Sequence, residues 1–95
     1  MPRMKFDWDW EKAAANEQDH EVSFDEAREV FDDPNAFHFF DYEHSVGETR
    51  YNVVGASRQR LLFVVYTQGG ENMIHIISAR EADKSHRKLY EQQDY

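Results

Sequence analysis

The sequence predicts an α+β fold with two N-terminal helices, a four-stranded antiparallel meander and a C-terminal helix. A short N-terminal strand is an optional addition. Three observations support this. Ser23-Phe24-Asp25-Glu26 is a capping box, serine followed three positions on by glutamate, and it opens an amphipathic stretch. Residues 36–79 carry apolar runs rich in β-branched and aromatic residues, separated by short polar or glycine-bearing connections. Helical patterns lie at the two ends instead of alternating with strands, which separates α+β from α/β.

Residues 4–8 can form a short strand with Phe6 and Trp8 on one side. Asp9 can cap a first helix, with Glu11 in its favourable first turn. The stretch Trp10 to Gln18 is rich in helix formers and is expected to stop around His20. Trp10, Ala13, Ala14 and Gln18 share one side; Lys12, Asn16, Asp19 and His20 share another. The second helix follows Ser23 and places Phe24, Ala27, Val30 and Phe31 on one stripe. Asp33-Pro34-Asn35 ends it, because the residue before proline is pushed out of helical geometry. Four strands are then expected: Ala36–Phe40, Arg50–Ala56, Leu61–Thr67 and Met73–Ala79. Ser57–Arg60 is short enough for a hairpin, and Gln68–Asn72 supplies glycines for a reversal. Leu61–Thr67 is apolar on both faces, as a central strand is. Glu81–Gln92 can form the last helix, with Ala82, His86, Leu89 and Tyr90 inward.

Residues 1–95 are expected to form one domain, since 95 residues leave no room for a second. Hydrophobic residues at 40% and aromatics at 15% exclude a disordered acidic tail. The absence of cysteine excludes disulfides and thiolate chemistry. The longest apolar run, Leu61–Tyr66, is too short to span a bilayer, and the first residues lack a signal-peptide core. A cytoplasmic protein without membrane contact is therefore expected. The net charge of −8 is unevenly spread: residues 1–48 carry −10 and residues 49–95 carry +2. A nucleic-acid surface should accordingly use the second half.

No simple motif declares a chemistry. The five histidines, His20, His38, His44, His75 and His86, show no metal-ligand spacing, so neither a metal nor another cofactor is expected. Gly69-Gly70 leads into a strand, not a helix, and so is no phosphate loop. No serine has a nucleophile-elbow context.

A distributed pattern says more. It comprises Trp8-Asp9, Lys12, Asn16, His20-x-Val22-Ser23-Phe24, Ala27, Val30-Phe31, Asp33-Pro34, Arg50, Gly55, Ile77-Ser78-Ala79-Arg80, Arg87 and Tyr90. This ordered set, spanning roughly Met4 to Tyr90, resembles the BrnT family of toxins from bacterial type II toxin–antitoxin modules. The resemblance implies a RelE-like fold, RNA cleavage and a cognate BrnA-type antitoxin. Four positions depart from the family: relatives usually read Lys-His-Gly where this chain reads Asp19-His20-Glu21, often carry Arg at His75, and often Pro at Trp10.

Metal-free RNA cleavage needs a base for the 2′-hydroxyl, cations on the phosphate oxygens and an acid for the leaving oxygen. The candidates are His20 as acid or base, Arg80 as phosphate clamp, and Tyr90 as an aromatic or hydroxyl contact. Arg58, Arg60, His75, Arg87 and Lys88 are candidates for binding RNA. Each has a plainer alternative. His20 can cap helix carbonyls, Arg80 can pair with Glu81 and Asp83, and Tyr90 can anchor the core. Arg58 and Arg60 can serve solubility in a turn, and His75 either replaces a cation or packs.

The expected function is a ribonuclease toxin neutralised by its antitoxin in a hetero-oligomer, touching DNA only through that partner. The alternative is a catalytically weakened toxin fold acting as an antitoxin-binding module, for which Asp19, Glu21 and the acidic N-terminal half speak. A stand-alone nucleic-acid-binding domain fits poorly, because no aromatic stacking platform is evident.

Overall fold

The structure, a computed structural model, describes residues 3–93. Strand β1 (Lys5–Asp7) leads into helix α1 (Trp10–His20) and the short helix α2 (Phe24–Ala27), which continues as a 3-10 helix (Arg28–Asp32). Strands β2 (Phe37–Phe40), β3 (Tyr51–Ala56), β4 (Leu61–Gln68) and β5 (Met73–Glu81) follow, and helix α3 (Lys84–Glu91) closes the chain.

The expected meander is present as β2 to β5, but the sheet is mixed and not purely antiparallel. Its order is β1-β5-β4-β3-β2, and β1 lies parallel to β5 with Phe6 opposite Ile74. That placement buries the inner side of Phe6 against Phe31, ring centroids 5.3 Å apart. It also shields part of an edge that would otherwise offer unpaired backbone groups. Because β1 covers only Met73–His75, the rest of that β5 edge needs another partner.

Helix α1 supplies it. Asp9 caps the helix by accepting from the backbone amides of Glu11 and Lys12. Of the two sides read from the sequence, Trp10 is 79% exposed, Ala13 packs on the core, and Asn16 is buried. Asn16 Nδ2 donates to Ala79 O at 2.8 Å and to Val22 O at 3.0 Å, while Oδ1 accepts from Ala79 N–H at 3.1 Å. One side chain thus serves both backbone groups of a β5 residue, as a neighbouring strand would, and one carbonyl of the turn after α1. Hydrophobic periodicity misses it because the requirement is a backbone hydrogen-bond deficit, not apolar area.

The core lies between these helices and one sheet face. Val22, Phe24, Ala27 and Val30 pack against Val53, Leu62, Val64, Ile74 and Ile76, all buried. Only the serine half of the expected capping box forms: Ser23 Oγ accepts from Glu26 N–H, while the Glu26 carboxylate turns away to Arg60 and Ser57. The second helix tightens to 3-10 geometry beyond Ala27, where it lies on the backbone of β3. A Cβ at Gly55 would stand 2.9 Å from Val30 Cβ, so only glycine permits this approach.

The final helix is shorter than expected, because β5 runs on to Glu81. Asp83 then opens α3, accepting from His86 N–H and donating its own N–H to His86 Nδ1. Ala82 is buried and His86 faces inward, stacked on Phe63, but Leu89 is 40% exposed and not inward as expected. The Tyr90 hydroxyl donates to Asp33, tying α3 to the end of the 3-10 helix. Among the described residues, no helix is long and apolar enough to cross a membrane.

Two stability changes follow. Asn16→Ala removes three hydrogen bonds and strands Ala79 and Val22 backbone groups, which should cost about 2–4 kcal/mol by urea unfolding. Glu21 ends α1 in the left-handed region (φ 57°), where a side chain is disfavoured. Glu21→Gly should therefore be neutral to stabilising, by up to about 1 kcal/mol on the same assay.

Candidate active-site cleft

The sheet face away from the core is only partly covered by α3. Beyond α3 it carries an open cleft of about 580 Å³. Its floor comprises Phe39, Asn52, Phe63 and Val65; Ser78 and Arg80 bound it on β5, and His20 enters from the end of α1. The loop between β2 and β3 adds Asp41, His44 and Arg50. That loop is closed on itself: Ser45 Oγ donates to Asp41 O and accepts from Arg50 N–H.

His20 and Arg80, far apart in sequence, therefore line one cavity. Asn16 explains why. It grips Ala79, the residue before Arg80, and His20 lies one helical turn beyond Asn16 on the same helix. Arg80 does not pair with its acidic neighbours. Glu81 reaches Arg60 at 4.0 Å, and Asp83 caps α3. Among the described residues the Arg80 guanidinium makes no ion pair; it lies over the Phe63 ring, 5.4 Å from its centroid.

Phe63 also stacks on His86, the two rings parallel with centroids 3.9 Å apart. Burial pushes the His86 pKa below the ordinary 6.5, aided by the Arg80 charge and opposed by Asp83. Since His86 Nδ1 accepts the Asp83 amide proton, the neutral ring carries its proton on Nε2.

His44 was not singled out by sequence, nor was Asn52. The His44 Nδ1 contacts both Asp41 carboxylate oxygens at 3.1 and 3.0 Å. A D-x-x-H spacing in a turn permits that pairing, but an acidic loop masks it in the sequence. Asn52 is buried, and its Oδ1 has no hydrogen-bond partner among the described residues. Arg50 belonged to the family pattern without a stated role; here it lines the cleft and contacts Glu48 at 3.3 Å.

The other candidates do not line this cleft. Tyr90 is bonded to Asp33, as described. Arg60 makes a two-point contact with Glu26 (3.0 and 2.7 Å) and donates to Glu21 O at 2.7 Å, holding the turn after α1. The same pairing lowers the Glu26 pKa, hydrogen bonding to Arg60 outweighing burial. Arg58, largely exposed, faces Glu29 at 3.8 Å. His75 meets Asp7 at 2.7 Å, where β1 joins β5. Arg87 and Lys88 are exposed on α3.

Fold and cleft together define a small α+β protein with an arginine- and histidine-lined cavity on an open sheet face. A family model described as "Ribonuclease toxin, BrnT, of type II toxin-antitoxin system" matches residues 8–86. The chain belongs to this BrnT family, and membership implies a protein antitoxin as partner. Its structure is similar to the crystal structure of the Brucella abortus ribonuclease toxin BrnT, with a TM-score of 0.66 and 21% identity. The match covers 85% of this chain and 99% of that one, and shows a shared fold. No curated protein matches the chain.

A pH dependence of stability follows from His86. Its folded pKa lies below the unfolded value of 6.5, so its contribution is complete above that value. It is lost as pH falls through 6.5 toward the folded pKa. His38, also lowered by burial, adds with the same sign. Urea midpoints should fall between pH 7.5 and 5.5, and His86→Gln, which keeps an acceptor for the cap, should flatten that decline.

Proposed function

We propose that this chain is an RNA endonuclease toxin that cleaves RNA in the cleft between the end of α1 and the open sheet face. The carrying observation is that His20 and Arg80 line one cavity while Arg80 makes no ion pair among the described residues. Arg80 would clamp the scissile phosphate through its planar fork of donors. The 2′-hydroxyl would attack that phosphate, breaking the bond to the 5′-oxygen and leaving a 2′,3′-cyclic phosphate. His20 and the Asp41-paired His44 would divide the roles of base and acid, since an imidazole has one nitrogen that accepts a proton and one that donates it. The reaction would need no metal, the guanidinium supplying charge to the phosphate and the imidazoles the acid and base. Arg50, with Arg87 and Lys88 on α3, would attract the RNA backbone.

The fold would be of the RelE-like kind, formed by the whole chain as one domain. The partner would be a BrnA-type antitoxin, forming a hetero-oligomer in the cytoplasm and blocking the cleft. DNA contact would come through that partner. The acidic N-terminal half supports pairing with a basic antitoxin segment.

The test is the initial cleavage rate of a mixed RNA at low salt with a chelator present. Arg80→Ala should lower the rate by about 10²–10³-fold and His20→Ala by about 10²–10⁴-fold, both variants keeping the wild-type unfolding midpoint. A folded wild type that cuts no RNA, and arrests no growth when expressed alone, would shift the reading to an antitoxin-binding module.

A further inference from the structure

The cleft floor holds a polar group that the reaction above does not use. Asn52 is 7% exposed, and its Oδ1 has no hydrogen-bond partner among the described residues. It sits on β3 between Phe39 of β2 and Val65 of β4, its direct cross-strand neighbours. Phe39 and Phe63 lie 6.4 Å apart beside it, and all four residues line the cavity. A buried amide acceptor left unpaired in an apolar floor is costly and rare in native structures, and a functional role is one reason to keep it. The flanking rings offer a surface on which a flat heterocycle can rest. Arg80, which would hold a phosphate, borders the same cavity.

We infer that Asn52 is a specificity-determining residue: a nucleobase rests against Phe39 and Phe63, and its edge hydrogen-bonds the Asn52 carboxamide, whose oxygen and nitrogen exchange places by a half-turn of the side-chain amide. This rests on the ribonuclease reading for the identity of the ligand, though not for its detection. A carboxamide presents an acceptor beside a donor, the pair that reads a base edge in two hydrogen bonds. A ribose hydroxyl can also bond to the carboxamide, so the two sources must be separated.

The experiment follows the side-chain amide resonances of Asn52 in the wild-type chain by NMR. The probes are the four ribonucleoside 3′-monophosphates and, separately, abasic ribose phosphate. The expected result is a saturable shift that differs among the four nucleotides, with the abasic probe silent at Asn52. Equal shifts by all four, a shift by the abasic probe, or no shift at all would overturn the inference. The second arm uses Asn52→Leu in the cleavage assay. Base preference at the cut site should fall about tenfold while the unfolding midpoint is kept or raised. An unchanged preference would likewise overturn it. A wild type that binds nucleotides at Asn52 yet cuts nothing would sink the ribonuclease reading and leave the base-binding role standing.

Discussion

The three hydrogen bonds of the Asn16 side chain hold the molecule's two halves in register. Strand β1 is too short to complete the β5 edge, and Ala79 lies in the part it leaves open. Asn16 occupies that gap by pairing both Ala79 backbone groups, and it gathers the Val22 carbonyl in the same grip. In a buried setting each of those groups would otherwise be destabilising. The consequence reaches the cleft. Fixing α1 on β5 at this point sets the helix end, and hence His20, beside the strand residue that follows Ala79, which is Arg80. Arg60 reinforces the geometry from outside by holding the Glu21 carbonyl while paired with Glu26.

The sheet divides the labour between its faces. One is closed by α1, α2 and the 3-10 helix, and that contact is tight enough to demand glycine at position 55. The other is left partly bare. Helix α3 covers the Phe63 end through His86, and its own position is set by the Tyr90 to Asp33 hydrogen bond. A bulge between Val65 and Tyr66 lets β5 carry one extra residue, Ile77, beside Ser78 on the cavity wall. Side chains that read as solvent-facing in a hairpin or helix end thus meet over an open floor. Residues on the closed face, such as Tyr66, are burdened by burial instead: its hydroxyl is pushed up to about 12.

Local signals made much of this legible. The Ser23 cap, the Asp9 cap, the Pro34 stop and the four strand patterns each depend on neighbours in sequence, and each is present in the structure. The ordered family pattern likewise identified the family that the match over residues 8–86 shows. What was not legible depends on distant partners. The parallel pairing of β1 with β5 joins the two ends of the chain. The inward role of Asn16 answers a backbone deficit created by β5. Arg60 reads as a turn cation but finds Glu26 across the fold. In the cleft, His20 and Arg80 are candidates on their chemistry alone, and the fold brings both to one cavity. His44 and Asn52 carried no pattern, because a turn-borne histidine and a strand asparagine look ordinary until the floor around them is assembled.

The most direct measurement is the chemistry of the RNA ends left by the purified chain in the presence of a chelator, read by mass spectrometry on a defined oligonucleotide. Cleavage by the His20 and Arg80 cleft should leave 2′,3′-cyclic phosphate and 5′-hydroxyl ends, and these should vanish with Arg80→Ala. Ends bearing a 5′-phosphate, a requirement for added metal, or equal cutting by a folded Arg80→Ala variant would contradict it.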